Sequence, residues 1–132
     1  MREILFRGKR IDNGKWVEGY YRQTCGCHLI ICGEGDDIYG VAVIPDTVGQ
    51  FTGLTDRNGK RIFEGDIVKG RDLLEQFREE DANHFGIYGY VSHQDGSFVI
   101  VGEVITHYRW LDYDLEVIGN IHNNPELLEV GE

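Results

Sequence analysis

The stretch that most restricts what this chain can fold into is Val43–Lys69, VIPDTVGQFTGLTDRNGKRIFEGDIVK. It packs turn signals and strand-like runs into one short segment. Asn58-Gly59 supplies the positive φ angles that a tight hairpin needs. Glu64-Gly65 then turns the chain into Asp66-Ile67-Val68-Lys69, which reads as a short, half-buried strand. Nothing in the segment arranges a nucleophile, a base and an oxyanion donor. The sequence therefore speaks to architecture before it speaks to chemistry.

Composition agrees with that reading. Eighteen glycines stand against two prolines, and seven Tyr, six Phe and two Trp accompany them. Many short strands and turns accommodate such a balance, and aromatic side chains suit a pleated, half-buried surface. At 132 residues the expectation is one domain over 1–132, or two small β subdomains (about 1–70 and 85–121) joined by a charged excursion, 71–84.

Strand candidates follow one another along the chain. Glu3–Arg7 is the first, and Asp12-Asn13-Gly14 turns it into the aromatic-rich run Lys15–Tyr21. His28–Cys32 and Ile38–Ile44 are apolar enough for buried strands. Pro45 ends the second, since it has no N–H to donate, and Thr47–Gly53 reads as a loop or short turn. Phe85–Ser92 and Ser97–Ile105 flank Asp95-Gly96, a further hairpin signal. Thr106–Asp114 reads as a connection and Leu115–Ile121 as the last strand. Two segments suggest short helices, the first of them, 71–84, reading equally as a mobile acidic loop. Asp72 and Glu75 have capping-box spacing at the start of 71–84, and Asn124 precedes Pro125 at a first helical position. The sum is eight or nine strands in an all-β, β-dominated fold, a small barrel or packed sheets with one or two short helices. Gly14, Gly53, Gly59, Gly65 and Gly96 are the turn positions.

Charge and cysteine usage limit the partners. The net charge is −10, and it is uneven: residues 72–132 carry 2 Lys/Arg against 13 Asp/Glu. Direct nucleic-acid binding is disfavoured because that half repels a polyanion. Ile4–Phe6 is too short for the apolar core of a signal peptide, and no apolar run is long enough to span a bilayer. Three cysteines make a poor disulfide framework. The expectation is a cytoplasmic protein with reduced thiols and no membrane association.

Cys25, Cys27, His28 and Cys32 form the one cluster of soft metal ligands, but C-x-C lacks the two spaced pairs that zinc sites favour. The alternative is a turn followed by a strand holding a buried cysteine. His93 and Asp95 share a hairpin, and His107, Asp112 and Asp114 share a later stretch. None carries a recognised catalytic or metal motif. No catalytic residue, cofactor or metal is therefore assigned. Trp16, Tyr20, Tyr108, Trp110 and Tyr113 are interface candidates, because aromatic residues are enriched at protein interfaces and exposed sheet edges invite partners.

Three blocks carry a resemblance. They are Phe6–Arg10 leading to Gly14–Tyr20, Ile44–Leu54 continuing through Asn58-Gly59 to Ile62–Val68, and Glu116–Ile121 with Asn124–Leu128. In this order they resemble the YopX family of phage and prophage proteins. The resemblance implies a β-rich, phage- or prophage-encoded protein that forms homo-oligomers, and it transfers no catalytic residues. Segments 22–37 and 71–84 lie outside the matching blocks. Three readings follow: a non-enzymatic homo-oligomer that acts by binding a host or phage protein, an acidic mimic that occupies a host nucleic-acid-binding protein, or a small metal-dependent hydrolase.

Overall fold

A computed structural model describes residues 5–72, 86–102, 106–107 and 113–128. Its strands form two antiparallel sheets. The chain divides into two compact units, Met1–Gly53 and Leu54–Glu132. Among the described residues the helical elements are short 3-10 turns, and no helix is long and apolar enough to cross a membrane.

The first unit contains β1 (Phe6–Lys9), β2 (Trp16–Thr24), β3 (Cys27–Cys32), β4 (Tyr39–Ala42) and the start of β5 (Gly49–Thr55). Hydrogen-bonded order is β4-β3-β2-β1-β5, with β6 (Arg61–Phe63) next to β5. The β1–β2 turn closes through Arg10 N–H to the Lys15 carbonyl and Gly14 N–H to the Arg10 carbonyl. Cys25-Gly26 is a two-residue hairpin loop with φ of +51° and +78°, the signs that match the twist of flanking strands. Side chains alternate as a pleat requires. Ile30 and its register partner Val41 are buried, whereas the flanking Gly40 and Ala42 are exposed. Val43, Phe51, Thr47, Thr52 and Arg7 are also buried. Thr47, in the 3-10 turn Pro45–Thr47, accepts from Lys9 N–H at 2.9 Å and donates to the Ile44 carbonyl at 2.6 Å. That pair of bonds fixes the turn against β1.

The second unit has β7 (Asp66–Asp72), β8 (Ile87–Gln94), β9 (Ser97–Val101), β10 (Thr106–His107) and β11 (Tyr113–Asn120), in the order β10-β9-β8-β7-β11. Ile62, Val68, Ile87, Val91, Ile100 and Leu115 form its core, with Phe98 and Val117 packed against them. Each fully buried aliphatic side chain contributes about 1.5–3 kcal/mol relative to exposure.

The structure corrects several expectations. There are eleven strands among the described residues. Thr47–Gly53 is not a loop: Gly49 and Gln50 pair with Arg7 and Phe6 in β1, a long-range partner that local turn chemistry conceals. Arg71 and Asp72 extend β7 and do not begin an excursion, because they pair with Asp114 and Tyr113. Residues 73–85, and with them the expected helix, lie outside the described residues. β7 pairs with β8 on one side and β11 on the other. Residues 66–72 therefore belong with the strands that follow, and the division falls at Gly53–Leu54. Thr106 and His107 add a short strand opposite Val101 and Ile100, and β9 ends at Val101. The C-terminal helix is a single 3-10 turn, Pro125–Leu128. Asn124 Oδ1 accepts from Asn120 N–H behind it.

Candidate functional site

The acidic residues of the organising stretch are bound up in backbone contacts. Asp56 opens the loop between β5 and β6 and is 7% exposed. Its Oδ1 accepts from Asn58 N–H at 2.8 Å and Lys60 N–H at 2.9 Å. Its Oδ2 accepts from Val117 N–H in β11 at 2.9 Å. Next to it, Arg57 N–H donates to the Leu115 carbonyl at 2.8 Å. The loop therefore closes the outer edge of β11 with the chain's own groups. Burial pushes the Asp56 carboxyl upward, but the N–H groups of Val117, Lys60 and Asn58 outweigh it and hold it below the ordinary aspartate range.

A depressed folded value gives stability that is present above the unfolded aspartate range and lost as pH falls through the folded value. Stability should therefore fall as pH drops below the ordinary aspartate range. Denaturant midpoints at stepwise lower pH test this, and Asp56→Asn should flatten the acid limb. An equally steep limb in the variant would assign the acid sensitivity elsewhere.

Asp66 is 1% exposed and accepts from Phe63 N–H at 2.8 Å. The preceding Gly65 has φ +94°, donates to the Val91 carbonyl and accepts from Ile121 N–H. A side chain with Cβ is strained at that φ, so the Glu64-Gly65 turn depends on glycine. Gly14, Gly53, Gly59 and Gly96 also have positive φ.

The cysteines do not converge. Cys25 and Cys27 are exposed at the β2–β3 hairpin, and Cys32 is half-buried at the far end of β3. Cys27 and Cys32 are an odd number of residues apart on one strand, so they face opposite sides. Burial raises the Cys32 thiol above its ordinary value, which opposes thiolate ligation. His28 shares the Cys32 face but is bonded through Nδ1 to the Tyr21 hydroxyl and stacked on that ring. Among the described residues no three His, Cys, Asp or Glu side chains group as metal ligands.

The other titratable candidates are also dispersed. His93 lies edge-on to Phe98 at 4.8 Å, and Asp95 has φ +52° in the turn. Asp114 is paired with Arg57 at 3.4 Å. Asp112 and the side chain of His107 lie outside the described residues.

The apolar surface is more coherent. Register places Tyr20 opposite Ile31 and Ile31 opposite Gly40. Leu29 and Ala42 continue the same face. Tyr20 is 68% exposed, while Leu29 and Ile31 are half-buried. Ile38 and Tyr39, each 59% exposed, stand at the N-terminal end of β4, and Ile11 is exposed near its other end. Ile38 and Tyr39 were not among the sequence candidates, because Ile38–Ile44 reads as a buried strand; only its alternate residues Val41 and Val43 are buried. Trp16 is half-buried beneath the Arg7 guanidinium, 4.7 Å from the ring centroid. Tyr108, Trp110 and the side chain of Tyr113 lie outside the described residues.

The family described as YopX protein matches residues 5–129. This chain belongs to the YopX family. A crystal structure of protein EF1440 from Enterococcus faecalis is similar to this YopX chain, with 25% sequence identity and a TM-score of 0.53. The match covers 97% of this chain and 99% of that one. No curated protein sequence matches. Membership thus accounts for the chain's blocks and its fold, and brings no reaction with it.

Proposed function

We propose that this YopX protein is a phage- or prophage-encoded, non-enzymatic binding protein that works as a homo-oligomer in the cytoplasm. The observation that carries the reading is the apolar sheet face of the first unit, where Tyr20 is 68% exposed beside half-buried Ile31 and Leu29, with Ile38 and Tyr39 exposed at the β4 edge. A contiguous apolar surface marks an interaction site more often than scattered single residues do. The carboxylates of Asp56 and Asp66 are engaged by backbone N–H groups, and the thiols stand apart.

The test is the solution mass of the full chain by light scattering at low and high salt. A fixed multiple of 15.1 kDa that survives salt is the expected result, since apolar contacts are not screened. A monomer under both conditions would overturn the assembly. The acidic residues of 72–132 would then be the bait for a basic host protein.

A further inference from the structure

We propose that the open edge of β4 joins two copies of this chain, their β4 strands pairing antiparallel about a two-fold axis at Tyr39, so that Gly40 of one copy lies opposite Ile38 of the other. The inference rests on the assembly reading above and gives that assembly its interface.

Strand geometry identifies the open groups. Val43 N–H donates to the His28 carbonyl at 3.0 Å. Hydrogen-bonded pairs alternate along an antiparallel ladder, so Ile30–Val41 and Cys32–Tyr39 are the bonded pairs of β3 and β4. Gly40 and Ala42 fall between them, and their N–H and C=O groups point away from β3. Ala42 uses its carbonyl to accept from Ile11 N–H at 3.1 Å, and Ile44 N–H donates to the Lys9 carbonyl at 2.9 Å. The segment Lys9–Ile11 thus covers the edge from Ala42 onward. The part at Ile38–Gly40 is left open.

That openness contrasts with β11, whose edge is closed by Asp56 and Arg57. Exposed edges are ordinarily guarded by charges, proline or bulges. Tyr39-Gly40-Val41-Ala42 contains neither charge nor proline. The flanking residues are Ile38 and Tyr39, both 59% exposed.

Charge selects a second copy as the occupant. Glu34, Asp36 and Asp37 precede β4, whereas Lys9, Arg10 and Lys15 lie in the turn region that covers its other end. Antiparallel pairing sets the acidic flank of one copy beside the basic flank of the other, and parallel pairing would set like beside like. The same arrangement brings Ile38 of one copy toward exposed Ile11 of the other. Residues 1–53 carry six Lys/Arg against seven Asp/Glu, so this unit approaches its own copy without strong repulsion. A two-fold contact of this kind is self-complementary and closes on itself.

The experiment compares the full chain with Gly40→Pro and Ile38→Lys by light scattering at equal concentration, with circular dichroism to check folding. Gly40→Pro removes an N–H that β3 does not use, and a Cβ there would sit 3.4 Å from Leu29 and Ile31 Cδ1, an ordinary contact. Ile38→Lys adds a charge at an exposed position. The expected result is that the chain has twice the mass of a 15.1 kDa subunit and that each folded variant has half the mass of the parent assembly. If one variant does not fold, the other decides. An assembled parent with folded variants of unchanged mass would overturn the β4 interface while leaving the assembly reading intact. A monomeric parent would overturn both.

Discussion

Replacing Asp56 with alanine should destabilise the protein by about 3 kcal/mol, because the substitution strips acceptors from three backbone N–H groups at once. Those donors are Asn58, Lys60 and Val117. Asn58 and Lys60 are exposed, so water can replace the carboxylate there at small cost. Val117 is half-buried and sits on the strand edge that the loop covers. Its N–H should account for the largest share, since an unsatisfied buried donor costs roughly 1–3 kcal/mol. Asp56→Asn keeps one carbonyl oxygen but turns an NH₂ group toward a donor. It should lose about 2 kcal/mol by the same reasoning. Urea midpoints of the three proteins test the ranking; an alanine variant within about 0.5 kcal/mol of the parent, the range of ordinary surface substitutions, would contradict it.

Gly19→Ala should be at least as damaging, by about 3 kcal/mol or more, because the added methyl group meets backbone. A Cβ at Gly19 would stand 2.1 Å from the Ile31 carbonyl oxygen and 3.1 Å from Ile30 Cγ2. Neither neighbour is the free end of a flexible side chain. Relief requires β2 to shift away from β3, where Tyr20 pairs with Ile31 and Tyr21 with Ile30. Gly26→Ala is the control. It has φ +78° but nothing within 4 Å of the new Cβ, so it should cost only about 1–2 kcal/mol for left-handed backbone. Thermal melts of the two variants should separate clearly. Equal losses would mean that backbone conformation, not close approach, sets the requirement at Gly19.

Much of this fold can be read from local chemistry, and what cannot is long-range. Cys25-Gly26 was expected only as a turn, yet its position fixes the register of β2 on β3. Asn58-Gly59 and Asp95-Gly96 place two other loops at the residues that make them. β5 escaped because Gly49-Gln50-Phe51-Thr52-Gly53 has a turn-like composition and gains its partners from Phe6 and Arg7, more than forty residues earlier. The role of Asp56 escaped for the same reason. Its bonds to Asn58 and Lys60 are implied by the turn, but the bond to Val117 spans 61 residues. The apolar site was half legible. Tyr20 was an evident candidate, whereas Ile38 and Tyr39 looked like core, and the position of β4 at the sheet edge leaves both exposed.

The most direct measurement of binding through the first unit is residue-resolved amide hydrogen exchange of the full chain at low and high protein concentration. The Gly40 amide, which points away from β3, is expected to gain protection as concentration rises. The Asn58, Lys60 and Val117 amides, already bonded to Asp56 within one chain, should exchange at rates independent of concentration. A chain that assembles while Gly40 exchanges at an unchanged rate would contradict pairing at β4. Exchange that nowhere depends on concentration would contradict self-association altogether.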